Sequence, residues 1–328
     1  MRKAHSGRAI KIGIVAVILV FLVVVGFFLL KEWETNRGRF QEQEIGDDMF
    51  EYNGIEYRLK TNLETFLIMG LDQFQDSVSS DSYNNDQQAD FLMLFVFDND
   101  TKQCTAIHIN RDTMAKVNIL GVAGNKVDTV TKQIALAHTY GNGKEVSCRN
   151  VADAASSLLL GMKINHYMSL TMDAVSVFND SLGGVEVEVL DDFSEIDSAL
   201  VRGENVTLMG EQALLYIRER KDLEDSSNLS RMARQRQYLQ ALYEKARSGM
   251  AGDEEFIVKT SLKLSDYTVS NCSLSQLQSL AKKMSEYNFL GFREIEGEAL
   301  VGTKFMEFYP DEESVAKIVV DLFYEAKQ

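Results

Sequence analysis

The sequence predicts an α/β protein: a three-layer α/β/α domain with a mixed central sheet, preceded by one transmembrane helix. Three observations predict this fold class. A run of 19 uncharged residues lies near the start of the chain, over residues 12–30. Short apolar or alternating segments typical of strands follow it, and amphipathic helix-forming segments lie between them. Strands and helices do not alternate strictly, which favours a mixed sheet over a purely parallel one.

The uncharged run over residues 12–30 predicts a membrane anchor. A helix rises about 1.5 Å per residue, so a run of this length just spans a hydrocarbon core about 30 Å thick. The basic residues lie before it, within residues 1–11, which the positive-inside rule places in the cytoplasm. No A-x-A-like cleavage site follows the run, so we expect a single-pass anchor in the cell membrane. Residues 31–59 are predicted to form a stalk and a small hairpin, and residues 60–328 an extracellular catalytic domain.

Composition excludes several classes of function. The chain of 328 residues has 49 acidic and 34 basic residues, a net charge of −15, which argues against a nucleic-acid partner. The three cysteines allow at most one disulfide and have no C-x-x-C spacing. The four histidines lack the spacing of a zinc site. His108 and His138 lie in apolar patterns, which predicts structural rather than catalytic histidines.

The first strands of the domain carry candidate site residues at their ends. The dipeptide Asn53-Gly54 predicts a two-residue hairpin turn within residues 50–59. The apolar run "TFLIMG", residues 65–70, predicts a buried strand that ends just before Asp72. A long polar and acidic loop follows this strand.

Two further strands, residues 90–97 and 104–111, flank a turn-rich segment and predict a hairpin. Symmetric pairing about that turn places Phe97 opposite Cys104 and Asp90 across from Arg111. Opposed residues lie about 4.5–5.5 Å apart at Cβ. The sequence therefore predicts an aspartate–arginine pair at the open end of a buried hairpin, within reach of Asp72.

The remaining elements alternate between helix and strand. Two helices are predicted to end at Gly141 and Gly161, because glycine is a frequent helix C-cap. Asp311, which follows the only proline, predicts the start of the last helix. The other predicted elements are the strands "NHYMSLT", "VEVEVL" and "FREIEG" and the helices "MDAVSVFNDSLGG" and "LSQLQSLAKKMSEY".

An arginine-rich window predicts an anion site. It lies at residues 218–237, across the end of one predicted helix capped by Thr207 and the start of another capped by Ser230. The apolar stripe of the second helix, extended backward, places Arg231 and Gln235 on its inward face near its N-terminus. Helix N-termini favour anions. The five arginines of the window are Arg218, Arg220, Arg231, Arg234 and Arg236.

Two interpretations of this window remain open from the residues alone. An inward-facing arginine needs a partner, so internal salt bridges to carboxylates would account for it. Arginine also binds phosphate through paired hydrogen bonds, and a pyrophosphate offers oxygens for several such contacts. Asp72 and Asp90 would then hold Mg²⁺, a cation that prefers oxygen ligands and bridges phosphates. Arg236 is predicted to lie on a solvated face.

An ordered series of motifs resembles the LytR–CpsA–Psr family of cell-wall assembly enzymes. The resemblance spans roughly residues 60–240, with a further match near the C-terminus. The motifs, in chain order, are "FLIMGLD", "ADFLMLF", "INRDTM", "IALAHTYGNG", "DSLGGVEVEV", "LMGEQALLYIRER", "RMARQRQ" and "FYPDEESVAKIVVDLFY".

The resemblance implies a phosphotransferase that moves a glycopolymer from a membrane polyprenyl-pyrophosphate carrier to peptidoglycan, with Mg²⁺ as cofactor. Carried over residue by residue, it implies a set of roles for the matching positions. Asp72 and Asp90 match the metal-associated aspartates, and Asp90 is also a candidate catalytic group. Asp112 has a supporting role. The catalytic arginines would be Arg111, Arg218 and Arg220, and the pyrophosphate-binding residues Arg218, Arg220, Arg231 and Gln235.

Three positions depart from the family pattern. Gln88 stands where an arginine is usual, Phe91 where a threonine is usual, and Asn110 where a proline usually precedes Arg-Asp-Thr. One cation fewer is expected to weaken a phosphate clamp. Two alternatives to a transferase are therefore kept: a hydrolase that uses water on the same pyrophosphate, and a non-enzymatic lipid-phosphate-binding or regulatory protein.

Overall fold

The computed structural model describes residues 49–72, 87–219, 223, 227–250, 259–260, 262–302 and 305–327. The predicted cytoplasmic N-terminus, the membrane helix over 12–30, the first part of the stalk and Arg220 lie outside these residues. Within the described part of the chain, no helix combines the length and the apolar character that crossing a membrane requires.

Strands and helices follow one another without strict alternation. In chain order the strands are β1 Met49–Tyr52, β2 Ile55–Leu59, β3 Leu63–Leu71, β4 Phe91–Asp98, β5 Gln103–His108, β6 Met114–Leu120, β7 Lys126–Gln133, β8 His166–Thr171, β9 Val185–Glu188, β10 Asn205–Leu208, β11 Thr268–Ser270, β12 Asn288–Glu294, β13 Gly297–Val301, β14 Met306–Pro310 and β15 Tyr324–Ala326. The α-helices with defined bounds are α1 Glu145–Leu158, α2 Met172–Ser181, α3 Gly210–Arg218, α4 Asn228–Met250, α5 Leu274–Glu286 and α6 Glu312–Phe323. Two 3₁₀ helices occupy Ile134–Tyr140 and Ser265–Tyr267.

The central sheet has six strands in the order β11-β8-β3-β4-β5-β12. Strands β3, β4 and β5 run antiparallel to their neighbours within this group, whereas β3–β8 and β5–β12 are parallel pairs. The sheet is therefore mixed, as the sequence predicted. The register of β4 against β5 is also the predicted one, with Phe97 opposite Cys104 and Phe95 opposite Ala106.

Helices cover both faces of this sheet because side chains alternate between the faces along each strand. Leu67, Met69 and Leu94 pack with apolar residues of α1 and α6 on one face. Phe66 and Phe95 pack with residues of α4 and α5 on the other face. A third apolar cluster joins β9 and β10 to α3 and α4.

The predicted N-terminal hairpin is confirmed. Tyr52 pairs with Ile55 across a two-residue turn in which Asn53 and Gly54 both have positive φ, 51° and 76°. Asparagine and glycine tolerate this left-handed conformation better than other residues do. Strand β15 pairs with β2, so the hairpin is hydrogen-bonded to the C-terminal end of the chain.

Two helix-cap predictions were wrong, and tertiary contacts account for both differences. Thr207 is not a helix cap: it lies in β10, opposite Glu186, and α3 begins three residues later. Ser230 is not a cap either, because α4 begins at Asn228 and the Ser230 hydroxyl donates to Asp191 Oδ2 at 2.7 Å. The helix predicted to end at Gly141 does end there, but it is a 3₁₀ helix over Ile134–Tyr140.

Two hairpins that the sequence analysis did not identify lie next to the Asn110–Thr113 turn. Strands β6 and β7 pair with each other, as do β13 and β14. The backbone N–H of Phe308 in β14 donates to Asp112 O at 2.9 Å. Gln133 in β7 donates to Asp112 Oδ1 at 3.0 Å. Both hairpins therefore support the turn that follows β5.

Candidate functional site

Asp90 and Arg111 lie together at one end of the central sheet. Asp90 directly precedes β4, and Arg111 lies in the turn after β5. The Arg111 guanidinium forms an ion pair with Asp90 and donates a second hydrogen bond to Gln88 Oε1. The strand ladder itself ends at Met93 opposite His108. The long arginine side chain, rather than backbone pairing, therefore makes the predicted contact.

The turn that carries Arg111 is defined by hydrogen bonds from Asn110. The Asn110 carbonyl accepts from Thr113 N at 3.0 Å and from Thr113 Oγ1 at 2.7 Å. The Asn110 side chain accepts from Asp112 N at 3.0 Å, an Asx turn. Arg111 and Asp112 are the central residues of this turn. Asn110, which stands where a proline was expected, thus determines the local backbone through its side chain.

Asp72 and Arg218 form a second carboxylate–arginine pair. Asp72 directly follows β3, and Arg218 is the last residue of α3. Arg218 Nη2 lies 3.2 Å from Asp72 Oδ1, and both side chains are about half exposed, 54% and 53%. An exposed pair of this kind contributes little to stability. Both groups are therefore accessible to a ligand.

Several charged side chains act on the Asp90 carboxyl. Burial raises the pKa of Asp90 above its ordinary value, the nearby Arg111 lowers it, the Asp72 carboxylate raises it and Arg231 lowers it. Asp90 lies beside the end of β3, because its backbone N–H donates to Gly70 O at 2.8 Å, two residues before Asp72. The structure therefore places Asp72, Asp90 and Arg111 at one end of the sheet, and the charge of Arg231 acts on Asp90 as well.

Arg231 and Gln235 lie on the buried face of α4, as predicted, with 7% and 6% of their surface exposed. Arg231 donates to Asn228 Oδ1 at the start of the helix. Gln235 Nε2 donates to Ile217 O at 3.1 Å. Gln235 thereby links α4 to the end of α3, next to Arg218.

Arg234 and Arg236 are engaged in internal ion pairs. Arg234 is fully buried, pairs with Asp191, and donates to the carbonyls of Tyr216 and Glu219 at the end of α3. It is a structural arginine. The prediction that Arg236 lies on a solvated face was wrong: it is partly buried and pairs with Glu294, because β12 packs beside α4. The interpretation by internal ion pairs therefore holds for Arg234 and Arg236.

An apolar cavity of about 340 Å³ opens next to the charged groups. It lies between the sheet and helices α2, α4 and α5. Phe91, Ile217 and Gln235 contribute to its lining. Phe91 is adjacent in sequence to Asp90, and Ile217 is adjacent to Arg218. Gln235 lies one helical turn after Arg231. The other lining residues are overwhelmingly apolar and include Phe66, Ile68, Phe95, Met168, Leu170, Phe178, Leu239, Leu242, Leu277, Ala281, Met284 and Phe289.

Asp72 and Asp90 are the carboxylates of this site with the right chemistry for a magnesium ion. Within the described part of the chain, no group of three or more His, Cys, Asp or Glu residues is arranged to hold a metal ion. Mg²⁺ is commonly bound by one or two carboxylates together with phosphate oxygens and water. Asp72 and Asp90, two neighbouring carboxylates, match that donor set.

The cysteines and the two apolar-pattern histidines lie in structural settings. All three cysteines are free thiols. Burial lowers the pKa of His108 to about 3 and that of His138 to about 4, so both imidazoles are neutral at pH 7. Burial raises the pKa of the Cys148 thiol to about 11, and a protonated thiol is a weak nucleophile.

The sequence analysis did not identify Gln88 as a direct partner of Arg111, and it did not identify Asn228 at all. Gln88 was noted only as the position of a missing arginine. The signal lay in its neighbour Ser227, whose hydroxyl oxygen caps the helix by accepting from the backbone N–H of Ser230 at 3.1 Å, so that Asn228 is the first helical residue. The cap assignment to Ser230 was three residues too late.

The fold and the site together define an α/β domain in which arginines and carboxylates line the edge of an apolar cavity. The chain belongs to the LytR_cpsA_psr family, whose model matches residues 34–321. This confirms the resemblance that the ordered motifs indicated.

Relatives of known name are similar along most of the chain. The polyisoprenyl-teichoic acid–peptidoglycan teichoic acid transferase TagU of Enterococcus faecalis is 24% identical over 316 residues, which cover 94% of this chain and 91% of TagU. The crystal structure of B. subtilis TagV shares the fold with a TM-score of 0.59 and 22% identity, over 80% of this chain and 97% of TagV. A structure of TagT bound to LI-WTA shares it with a TM-score of 0.59 and 20% identity, over 80% of this chain and 89% of TagT.

Proposed function

We propose that this protein is a membrane-anchored phosphotransferase that moves a glycopolymer from a polyprenyl-pyrophosphate carrier to peptidoglycan. One observation carries the proposal: a cluster of arginines and carboxylates lies directly beside a large apolar cavity. A polyprenyl pyrophosphate has the matching character, with a charged group joined to a long apolar tail. The names of the relatives support the same class of substrate and acceptor.

The apolar cavity would hold the polyprenyl tail. Its lining between the sheet and α5 is almost free of polar groups. Burial of apolar surface stabilises binding by roughly 25 cal/mol per Å². Two of its lining residues, Phe91 and Ile217, are next in sequence to Asp90 and Arg218, so a tail bound there would bring its first phosphate toward the arginines. Phe91, which lines the cavity and follows Asp90, packs against His108, with their ring centroids 5.2 Å apart.

The arginines would stabilise charge on the transferring phosphoryl group. In the proposed reaction, a hydroxyl oxygen of peptidoglycan attacks the phosphorus that carries the sugar. The bond from that phosphorus to the bridging oxygen breaks, polyprenyl phosphate leaves with the bonding electrons, and the hydroxyl proton passes to solvent water. Arg111, Arg218 and Arg231 would donate to phosphate oxygens, with Arg220 as a further candidate. Preorganised donors of this kind commonly supply the largest part of catalysis.

Asp72 and Asp90 are the residues that would hold Mg²⁺. When bound, the ion would neutralise phosphate charge beside the arginines. Asp90 is already oriented by its ion pair with Arg111. Asp72 is held by Arg218, and its exposure leaves oxygen lone pairs open to a ligand. The anchor over residues 12–30 would keep the domain at the outer face of the membrane, beside its lipid substrate.

The test uses full-length protein in detergent, a polyprenyl-pyrophosphate saccharide and nascent peptidoglycan strands, with Mg²⁺ or with EDTA. Asp90→Asn and Arg218→Ala are compared with Arg58→Ala, which removes an exposed ion pair to Glu325. We expect Mg²⁺-dependent attachment of saccharide to peptidoglycan that the first two variants lose and the third retains. Release of saccharide phosphate to water without attachment would establish the hydrolase. Binding of an intact lipid under every condition would establish the non-enzymatic alternative.

A further inference from the structure

Two asparagine side chains connect the turn that carries Arg111 to the helix that carries Arg231. Asn110 Oδ1 accepts a hydrogen bond from Asn228 Nδ2 at 2.8 Å. The same oxygen accepts from the backbone N–H of Asp112 at 3.0 Å. Asn228 Oδ1 in turn accepts from the Arg231 guanidinium. We name the path from Asn110 through Asn228 to Arg231 the asparagine bridge.

The asparagine bridge lies in a largely buried environment. Asn110 and Arg231 are 9% and 7% exposed, and Asn228 is partly buried. When one partner of a buried hydrogen bond is removed, the other group stays buried without a partner. The resulting loss of stability is larger than the net contribution of the hydrogen bond to stability. Hydrogen bonds in such surroundings also hold their geometry more strongly than those in water do.

The two ends of the bridge lie on two sides of the same site. Arg111 follows Asn110 and pairs with Asp90, and the charge of Arg231 also acts on Asp90. The two arginines come from elements far apart in the chain, a turn after β5 and the first turn of α4. Their separation depends on contacts between these two elements, and the bridge is a direct contact of that kind.

We propose that Asn110 and Asn228 are positioning residues that set the separation of Arg111 and Arg231 for one bound pyrophosphate. This inference rests on the proposed function. A pyrophosphate that takes hydrogen bonds from two guanidiniums requires them at a defined spacing, because each guanidinium is a rigid, directional donor. A small misplacement of such groups has a large effect on binding and turnover.

The first experiment measures inorganic pyrophosphate affinity by calorimetry, in the presence of Mg²⁺, on the full-length protein in detergent. Asn110→Ala, Asn228→Ala and the double variant are compared with Asn62→Ala. Asn62 donates to Asp100 at 2.7 Å in an exposed setting and serves as the matched control. We expect each single variant at the bridge to bind about 10-fold more weakly. The double variant should be no weaker than the singles, because they break one shared path.

The second experiment follows the Arg231 Nε–Hε resonance of protein labelled with ¹⁵N-arginine, assigned with Arg231→Lys. Asn110 reaches Arg231 through Asn228, so we expect Asn110→Ala to shift or broaden this resonance and Asn62→Ala to leave it in place. An unchanged Arg231 resonance in both bridge variants, or losses that multiply in the double variant, would overturn the inference. If the wild type binds no pyrophosphate, the proposed function is wrong. The inference then fails because the function on which it rests has failed, and not because the asparagine bridge has no effect.

Discussion

Asp90 and Arg111 form an ion pair across the open end of the β4–β5 hairpin, although they are not neighbours in the strand ladder. Each side chain is mostly buried, with 20% and 17% exposed. The pair places a fixed positive charge and a fixed negative charge at the edge of the apolar cavity, where a lipid-linked phosphate would lie.

Replacement of Arg111 by alanine should lower transfer by about 10²–10³-fold, the range found when one preorganised donor to a developing charge is removed. Arg111→Lys should fall between this variant and the wild type, since lysine keeps the charge but cannot contact Asp90 and Gln88 as a planar fork. Initial rates of saccharide attachment measure both. Unchanged rates in Arg111→Ala would contradict its role.

Arg231 and Arg234 lie one turn apart on α4 but should respond differently to alanine substitution. Arg234→Ala leaves Asp191 and the carbonyls of Tyr216 and Glu219 without their buried partner, so we expect a loss of about 3–5 kcal/mol in the free energy of unfolding. Arg231→Ala should weaken pyrophosphate binding, and it should lower the free energy of unfolding by less than Arg234→Ala does. Denaturant unfolding and calorimetry separate the two effects, and equal stability losses would contradict the assignment.

A large side chain inside the cavity should block the lipid tail without affecting the charged groups. Ala281 lines the cavity, whereas its neighbour Lys282 is 70% exposed on the same helix. We expect Ala281→Trp to lose binding of long-chain polyprenyl phosphate and to keep binding of inorganic pyrophosphate. Lys282→Trp, the matched control, should keep both. If Ala281→Trp bound the long-chain lipid normally, the tail would have to lie elsewhere.

Stability should depend on pH through Asp153 in α1. Burial raises the pKa of this carboxyl to about 6. A raised folded-state pKa means that the folded state holds the proton more tightly, so this contribution to stability is present at low pH. It is lost as pH rises from about 4 through 6.

We therefore expect Asp153→Asn to be more stable than the wild type at pH 7, by about 1–3 kcal/mol, with the difference shrinking toward pH 4. Denaturant unfolding at several pH values measures this difference. Asp128→Asn, at an exposed position in β7, is the control and should show no such trend. A wild type that gains stability relative to Asp153→Asn as pH rises would contradict the prediction.

Much of the central sheet could be predicted because its strands are marked locally. The apolar runs of β3 and β4, the turn between β4 and β5, and the Asn53-Gly54 hairpin each depend on neighbours in sequence. The register of β4 against β5 follows from the symmetry of one short turn. The same symmetry predicts that Asp90 and Arg111 lie close together. Helix starts were less accurate, since Thr207 and Ser230 resemble caps but are used in a strand pair and a contact with Asp191.

The sequence by itself determined the fold class, the family and most of the candidate site residues, because periodicity and motif order are local properties of the chain. Only the tertiary structure showed what Arg234 contacts and how it differs from Arg231. Arg231 and Arg234 are both buried on α4, yet one lies near Asp90 and the other holds the end of α3. Likewise, the residues that line the cavity resemble core residues in sequence. The space between them depends on how α4 and α5 pack over the sheet, a non-local property.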